Sequence, residues 1–406
     1  MQRYLTLLLG TILITLTGII MLNRIANPFA IFATPVIVGF NSHKPEADTR
    51  QRLSKAYQVK NLRPDALLLG TSRALRLDPN HPHWQGLNGF NLALTSSSLY
   101  EQYRYLQHAQ AQTPLREVVL GLDYFMFNHN TGMQFSERRL DVAADGTPQP
   151  KLLGIDLHDL LPALLSRDAL SSSLVTLHDQ NAPLPDDPDY LRQRIANKGG
   201  HHALFNELEH GLMSEWSRTD AAQNYGEIGT ITEAGSFRQI LRLAHRGNIR
   251  LYLFISPSHA RLWECWRLLG QLPSIEQWKR DMVRANDEEA RLAGAAPFPL
   301  WDFSGYNSIT TEALPEAGDR KTMMYGYFED SHYSHAVGRL ILDRLFDYQT
   351  PGHIPPADFG VQLSGENINT HLGELARQGE RYRRDHPGGI AELERLYQQA
   401  TRSIRH

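Results

Sequence analysis

Short apolar runs alternate with amphipathic stretches in two regions of the chain, and this pattern predicts an α/β fold. The predicted strands are residues 66–69, 90–94, 117–122, 250–255 and 299–303. An amphipathic helix is predicted over 99–112, after a run of serines that can cap it, and another over 334–346. Strand, helix and strand at this spacing are typical of a parallel sheet with right-handed crossovers.

The first apolar stretch is of a different kind. Residues Tyr4 to Leu22 carry no charge over about nineteen positions, enough to cross a bilayer as a helix. A retained signal anchor and a cleaved signal peptide compete as interpretations. The run is longer than an ordinary signal-peptide core, and bulky residues follow it, so we favour the anchor. Arg3 and the terminal amine on the short side favour export of the remainder.

The same pattern predicts the organisation of the chain. From about residue 125 to 232 it becomes polar, irregular and dotted with proline, which predicts a long insertion in the α/β core. The predicted parts are a transmembrane anchor (1–24), a juxtamembrane segment (25–61), an α/β domain (62–348) with its insertion, and a peripheral, charged, helical tail (349–406).

Composition excludes several classes of protein. The chain has 406 residues, a net charge of −3 and a pI near 6.7. Lysine and arginine are dispersed, which argues against a nucleic-acid partner. With Cys265 as the single cysteine, neither an intrachain disulfide nor a cysteine-based zinc site can form.

Candidate chemistry begins at Ser72, in the Gly-Thr-Ser that follows the first predicted strand. The carboxyl ends of parallel strands form the edge of the sheet where ligands bind. A serine in this place is either a helix cap or a nucleophile. As a nucleophile it needs an imidazole within hydrogen-bonding reach and a group that orients the imidazole.

His332, just before the last predicted core helix, can supply the imidazole, and Asp330 or Glu329 the orienting carboxylate. His259 ends the fourth predicted strand at the same edge. It is a candidate for substrate binding or proton transfer, and a helix cap is the equally weighted alternative. No set of histidines has metal-ligand spacing, so we expect neither a metal nor an organic cofactor.

The chain resembles the SGNH/GDSL hydrolase superfamily, over about residues 62–125 and 235–348. Gly70-Thr71-Ser72 matches its first block, Gly-Asp-Ser. Its last block, Asp-x-x-His, places Glu329 at the acid position, whereas membrane-anchored members of envelope polysaccharide O-acetylation systems use Asp-x-His, which Asp330 and His332 satisfy. We favour Asp330, with Glu329 as the substitute. The resemblance implies a three-layer α/β/α sandwich of about five parallel strands.

The resemblance also implies an oxyanion hole, and here the chain departs from the family. Ser96 stands where the family has a glycine, and its amide can still donate. Gly121-Leu122-Asp123 stands where the family has Gly-x-Asn. An ionised Asp123 would repel an oxyanion, so it must be protonated, have another role, or mark a site with little activity. Arg73, beside the nucleophile, is a further candidate for substrate contact.

These features predict a membrane-anchored Ser/His esterase or O-acyltransferase that acts on acyl esters of cell-envelope polysaccharide. The expected location is the inner (cytoplasmic) membrane, with one span and a periplasmic globular part. The anchor favours envelope polymers as substrates, or a membrane-bound partner that supplies acyl groups. A catalytically weak or inactive SGNH-like scaffold that binds polysaccharide is the alternative.

Overall fold

The computed structural model describes residues 1–127, 135–183, 187–218, 232–349 and 352–402. Within these ranges the chain forms two compact units. Unit 1 comprises residues 1–64, 104–114 and 134–184, and unit 2 comprises the rest. The predicted insertion is therefore divided: residues 134–184 belong to unit 1, together with the juxtamembrane segment, and its beginning and its later part belong to unit 2. Residues 128–134, 184–186 and 219–231 of the insertion lie outside the described residues.

Unit 2 is built on a six-stranded sheet with the order β2-β1-β3-β4-β5-β6. The strands are β1 (Ala66–Leu69), β2 (Gly89–Asn91), β3 (Glu117–Leu122), β4 (Arg250–Ile255), β5 (Leu300–Asp302) and β6 (Val361–Leu363). The first five are parallel, and only β6 is antiparallel to its neighbour. The chain leaves β1 in one direction for β2 and then crosses to β3 on the other side. This reversal makes the carboxyl ends of β1 and β3 the place where a doubly wound sheet binds ligands.

The helices that cover most of the remaining chain are mainly amphipathic. They are α1 (Gln2–Ala26), α2 (Pro45–Thr49), α3 (Gln51–Leu62), α4 (Leu99–Gln112), α5 (Leu157–Leu165), α6 (Arg167–His178), α7 (Pro188–Asn197), α8 (His201–Arg218), α9 (Thr232–Arg246), α10 (Ala260–Leu268), α11 (Leu272–Ala293), α12 (His335–Leu345), α13 (Ile368–Asp385) and α14 (Pro387–Arg402). The mixed α/β class and the mostly parallel sheet agree with the sequence pattern.

The segment after residue 349 differs from the expected peripheral tail. It supplies β6, whose Leu363 pairs with Leu300 of β5, and it places Phe359 fully inside the core of unit 2. Its last helix, α14, packs against α8 and α10. With three residues, β6 is too short for its apolar pattern to identify a strand. The many charged residues on the outer faces of α13 and α14 made both helices look peripheral in the sequence, although each has a buried side.

Unit 1 contains α1, and this helix is long and apolar enough to span a membrane: its most apolar window has a mean hydropathy of 2.4. The helix runs to Ala26 and ends at Asn27, which adopts a left-handed conformation. A small apolar core that includes Phe29, Phe32 and Tyr57 lies beside its carboxyl end. The end of α1 is thus held in a folded unit.

Candidate active site

Ser72 and His332 meet at the carboxyl edge of the sheet, although 260 residues separate them in the sequence. The Ser72 Oγ lies 2.7 Å from the His332 Nε2. Ser72 is half-buried and the His332 side chain is 34% exposed, so the pair is open to solvent. A serine hydroxyl at this distance can donate its proton to the imidazole, which is the contact that an activated serine nucleophile needs.

The turn that carries Ser72 is held from both sides of the backbone. The carboxamide of Gln102, on α4, accepts a hydrogen bond from the Gly70 N–H at 3.2 Å and donates one to the Gly70 carbonyl at 2.9 Å. Gly70 has φ of 138°, and a Cβ there would lie 2.8 Å from the Ala74 Cβ, so only glycine suits the position. The three residues Ala74–Arg76 form a single 3₁₀ turn instead of a longer helix.

His332 is presented by a closed loop ahead of α12. An antiparallel bridge joins Tyr327 to Tyr333, and the Phe328 N–H donates to the His332 carbonyl at 3.1 Å. Both tyrosines are buried, and the Tyr327 hydroxyl donates to the Pro257 carbonyl at 2.9 Å. The position of the imidazole is therefore determined by the core of unit 2.

Glu329, and not Asp330, contacts the other nitrogen of the imidazole. The Glu329 Oε1 and the His332 Nδ1 form a short hydrogen bond. A carboxylate only accepts, so Nδ1 carries the proton and Nε2 is left as the acceptor for Ser72. The favoured prediction of Asp330 as the orienting acid is corrected here. The tight loop turns the residue three positions before the histidine towards the ring.

The pKa values of the two acidic side chains shift in opposite directions. Burial acts to raise the pKa of Glu329, but its interactions with His332, Asp330 and the Ser331 N–H outweigh burial and lower this pKa to about 2. Burial and the neighbouring Glu329 charge raise the pKa of Asp330 well above its ordinary value. Of the two, Asp330 is the carboxyl that keeps its proton more readily, and Glu329 is the one that holds the negative charge beside His332.

Asp123, directly after β3, stabilises the turn that carries Ser72. Its Oδ2 accepts from the Thr71 hydroxyl at 2.5 Å, and its Oδ1 lies 2.6 Å from the Arg73 guanidinium. Thr71 and Arg73 are the two neighbours of Ser72, so this one carboxylate fixes the turn on both sides. Its charge is opposed by a buried arginine, which is the separate role that the sequence left open.

Arg73 also joins the two halves of the site. Its Nε donates to the Ser331 carbonyl at 2.9 Å, in the loop that carries His332. Arg73 is only 8% exposed. The structure thus places it as a link between the loops of Ser72 and His332, and it also lines a small cavity of about 40 Å³ together with Asp123 and Phe125.

Ser96 and Gly121 differ in how they relate to the predicted oxyanion hole. Ser96 is exposed and has φ of 49°, the left-handed region that glycine adopts most easily. In the described part of the chain, neither the Ser72 nor the Ser96 amide N–H donates to another protein group. Gly121 is instead buried within β3, where a Cβ would lie 2.8 Å from the Phe254 ring. Its role is packing.

His259 is buried, and its described ring hydrogen bonds do not involve Ser72 or His332. Its Nδ1 accepts from the Arg261 N–H at 3.2 Å, as the cap of α10, and its Nε2 lies 2.8 Å from the Glu312 carbonyl. Both ring nitrogens are therefore engaged. His259 lines a cavity of 520 Å³ to which Ser72 and His332 do not contribute. The prediction of substrate binding or proton transfer is corrected, because this residue caps a helix. Its backbone N–H donates a hydrogen bond to the Asp330 carbonyl at 2.8 Å.

This buried imidazole has a consequence for stability. Desolvation lowers the pKa of His259 to about 4, whereas an unfolded histidine titrates near pH 6.5. Between these pH values the unfolded chain binds one proton more, so the free energy of unfolding decreases as the pH falls, by about 1.4 kcal/mol per pH unit. We expect His259→Gln to remove about this much of the slope between pH 6 and 4.5 in urea unfolding. An unchanged slope would contradict a neutral, buried His259.

Two other buried or half-buried histidines, close together in the sequence, each lie beside one carboxylate. His81 lies 2.9 Å from Asp343, and His83 lies 3.1 Å from Glu117 and stacks on Phe346. Across the described ranges, no group of three or more His, Cys, Asp or Glu side chains is placed to hold a metal ion.

Sequence reasoning missed two residues that shape the site. Gln102 lies on the inner face of α4, where its polar side chain is fully buried, and Thr71 is fully buried between β1 and Ser72. A polar residue on the apolar stripe of a predicted helix, pointing towards a glycine turn, is the signal that could have identified Gln102. Thr71 offers no such signal, because its partner Asp123 is 52 residues away.

Comparisons with known proteins add nothing to this geometry. No protein-family model matches the chain, and no curated protein matches it. The chemistry of the site therefore rests on the arrangement of Ser72, His332 and Glu329.

Proposed function

We propose that the chain is a serine esterase or O-acyltransferase. The observation that carries the proposal is the hydrogen-bonded series in which Ser72 contacts His332 Nε2 and Glu329 contacts His332 Nδ1. The same three roles recur on unrelated folds wherever a serine attacks an acyl carbonyl. The turn stabilised by Asp123 and the two available amides at Ser72 and Ser96 support the proposal further.

In the proposed reaction, the Ser72 Oγ attacks the acyl carbonyl while His332 Nε2 takes the hydroxyl proton. Glu329 stabilises the imidazolium that forms, and the Ser72 and Ser96 amides donate to the developing oxyanion. His332 then returns the proton to the leaving alcohol, which leaves an acyl ester on Ser72. A second hydroxyl, from water or from a sugar, attacks this ester while His332 takes its proton, and His332 returns that proton to the Ser72 Oγ as the bond between Oγ and the acyl carbon breaks.

The finer features of the proposal concern substrate and location. The mostly parallel sheet supports our proposal of an SGNH-like three-layer α/β/α fold. The apolar α1 supports our proposal of one span in the inner membrane with a periplasmic globular part. An anchored acyl-transfer site of this kind suits esters of envelope polysaccharide, with a membrane-bound acyl donor as a partner. The neutralised charge of Asp123 weakens the alternative of an inactive scaffold.

Burst kinetics test the proposal. The full chain in detergent micelles is mixed with p-nitrophenyl acetate, and p-nitrophenol is followed in the first seconds. We expect a burst that approaches one equivalent per chain and then a slower steady rate, because the acyl group resides on Ser72 between two steps. A soluble sugar acceptor that speeds the slow phase would indicate a transferase. Release of p-nitrophenol at the rate of buffer alone would refute an enzyme for this ester.

A further inference from the structure

Helix α5 in unit 1 carries more leucine than its packing uses. Leu160 and Leu164 pack against the small core around Phe29 and Phe32. Leu157, Leu161 and Leu165 follow at intervals of four, turned away from this core, and are 55%, 56% and 45% exposed. A row of exposed leucines beside a packed apolar face is ordinarily covered by protein or by lipid.

The position of α5 along α1 indicates which of these applies. The Asn23 amide, near the end of α1, donates to the Leu164 carbonyl at 2.9 Å and accepts from the Ser173 hydroxyl of α6 at 2.8 Å. Ile20 and Leu22 of α1 are half-buried, whereas most of the preceding apolar residues of this helix are exposed. Helix α5 therefore packs beside the last turns of the apolar span and not beyond them.

A second exposed apolar segment follows α1 in the sequence. Val36 and Val38 are 67% and 90% exposed, in the loop after this helix. The Asn41 side chain ties this loop to the end of α1 by donating to the Ile25 carbonyl at 2.9 Å. Leu152, just before α5, is fully exposed. Exposed apolar residues are therefore found on α1, on α5 and in the two loops that adjoin these helices in the sequence.

We propose that this surface inserts into lipid. The lipid face, which we define as the outer side of α5 with residues 152–153 and 36–38, lies at the boundary between lipid headgroups and acyl chains. Unit 1 would then be embedded in one leaflet and not merely tethered by α1. Lipid is favoured over a second copy or another protein because α5 packs against α1, whose exposed apolar side chains would themselves lie in lipid. The inference rests on α1 as a membrane span and is independent of the acyl chemistry.

Site-specific labelling of the full chain in phosphatidylcholine–phosphatidylglycerol vesicles tests the inference. Cys265 is fully buried, so a maleimide fluorophore will react with an introduced cysteine. Leu161→Cys and Leu152→Cys report on the lipid face, and Leu152 makes no packing contact whose loss could unfold the protein, because it is fully exposed. Ala144→Cys, exposed in a polar loop of unit 1, is the matched control, and Leu13→Cys marks the middle of α1.

We expect lipids with a shallow spin label to quench the fluorophore at both lipid-face positions about threefold more than at Ala144→Cys, with iodide from the aqueous phase quenching in the reverse order. Leu13→Cys should respond most to a deep spin label. Iodide quenching equal to that of the control would overturn the inference, and so would protection from both quenchers, which would indicate a protein contact. A deep response at Leu13→Cys in the same vesicles would show that the anchor holds even if the lipid face does not.

Discussion

Replacement of Ser72 by alanine lowers kcat/KM for an acyl ester by about 10⁵, because the attacking oxygen is lost and only binding and oxyanion stabilisation remain. Ser72 is half-buried and its Oγ contacts only the partly exposed His332 ring among the described hydrogen bonds, so alanine removes one oxygen without leaving a fully buried polar group unpaired. The folded structure should therefore persist. The measurement is the steady-state rate of p-nitrophenyl acetate hydrolysis by the full chain in micelles.

Ser171→Ala is the matched control for this change, since Ser171 is exposed on α6 and lies in unit 1. We expect it to hydrolyse the ester as fast as the original chain. Equal rates for Ser72→Ala and Ser171→Ala would remove Ser72 from the reaction and leave any activity to another group.

Replacement of Glu329 by glutamine lowers kcat/KM by about 10³ to 10⁴, while replacement of Asp330 by asparagine changes it by less than about threefold. Glutamine has no charge to stabilise the imidazolium, and its amide can hold the imidazole in the wrong tautomer. Asparagine can still donate to Glu329, as the Asp330 carboxyl does while it keeps its proton. The two variants differ by one adjacent position, so each is the control for the other.

The reverse result for these two variants would contradict the assignment of Glu329 as the orienting acid. If Asp330→Asn abolished hydrolysis and Glu329→Gln did not, then Asp330 would orient the imidazole and the contact of Glu329 would be incidental. Comparison of thermal unfolding midpoints separates loss of chemistry from loss of fold, because both acids are buried. We expect both variants to remain folded under the assay conditions.

The sheet was predictable from sequence to a large extent because its central strands are buried on both faces. The runs 66–69, 117–122 and 250–255 are predicted with the bounds that the structure has. The edges were less accessible: β2 is Gly89–Asn91 where 90–94 was expected, and β6 was missed. Edge strands are short and half-exposed, so their apolar pattern is weak.

The site was predictable in its members more than in its contacts. Ser72 and His332 follow from the rule that parallel strands end at one edge. The choice between Glu329 and Asp330 depends on the bridge between Tyr327 and Tyr333, which decides the side chain that turns towards the ring. A sequence pattern does not show which of the two acids faces the ring, because the shape of this loop is set by the packing of its tyrosines in the core.

Asp123 illustrates a further limit of sequence reasoning. By position it appears at a place where negative charge would oppose catalysis. Only the folded structure shows that its oxygens are engaged by Thr71 and Arg73 and that its charge is opposed. His259 shows the reverse case, because it follows β4 at the same edge of the sheet as Ser72 and yet both of its ring nitrogens are engaged by backbone groups.

Covalent labelling with a fluorophosphonate probe tests the central claim most directly, since it requires an activated serine and no knowledge of the natural substrate. Peptide mapping of the labelled full chain should find the phosphonyl adduct on Ser72, and His332→Ala should abolish it. An unlabelled chain, beside a serine hydrolase that labels fully in the same micelles, would contradict the account, and so would an adduct on any other residue.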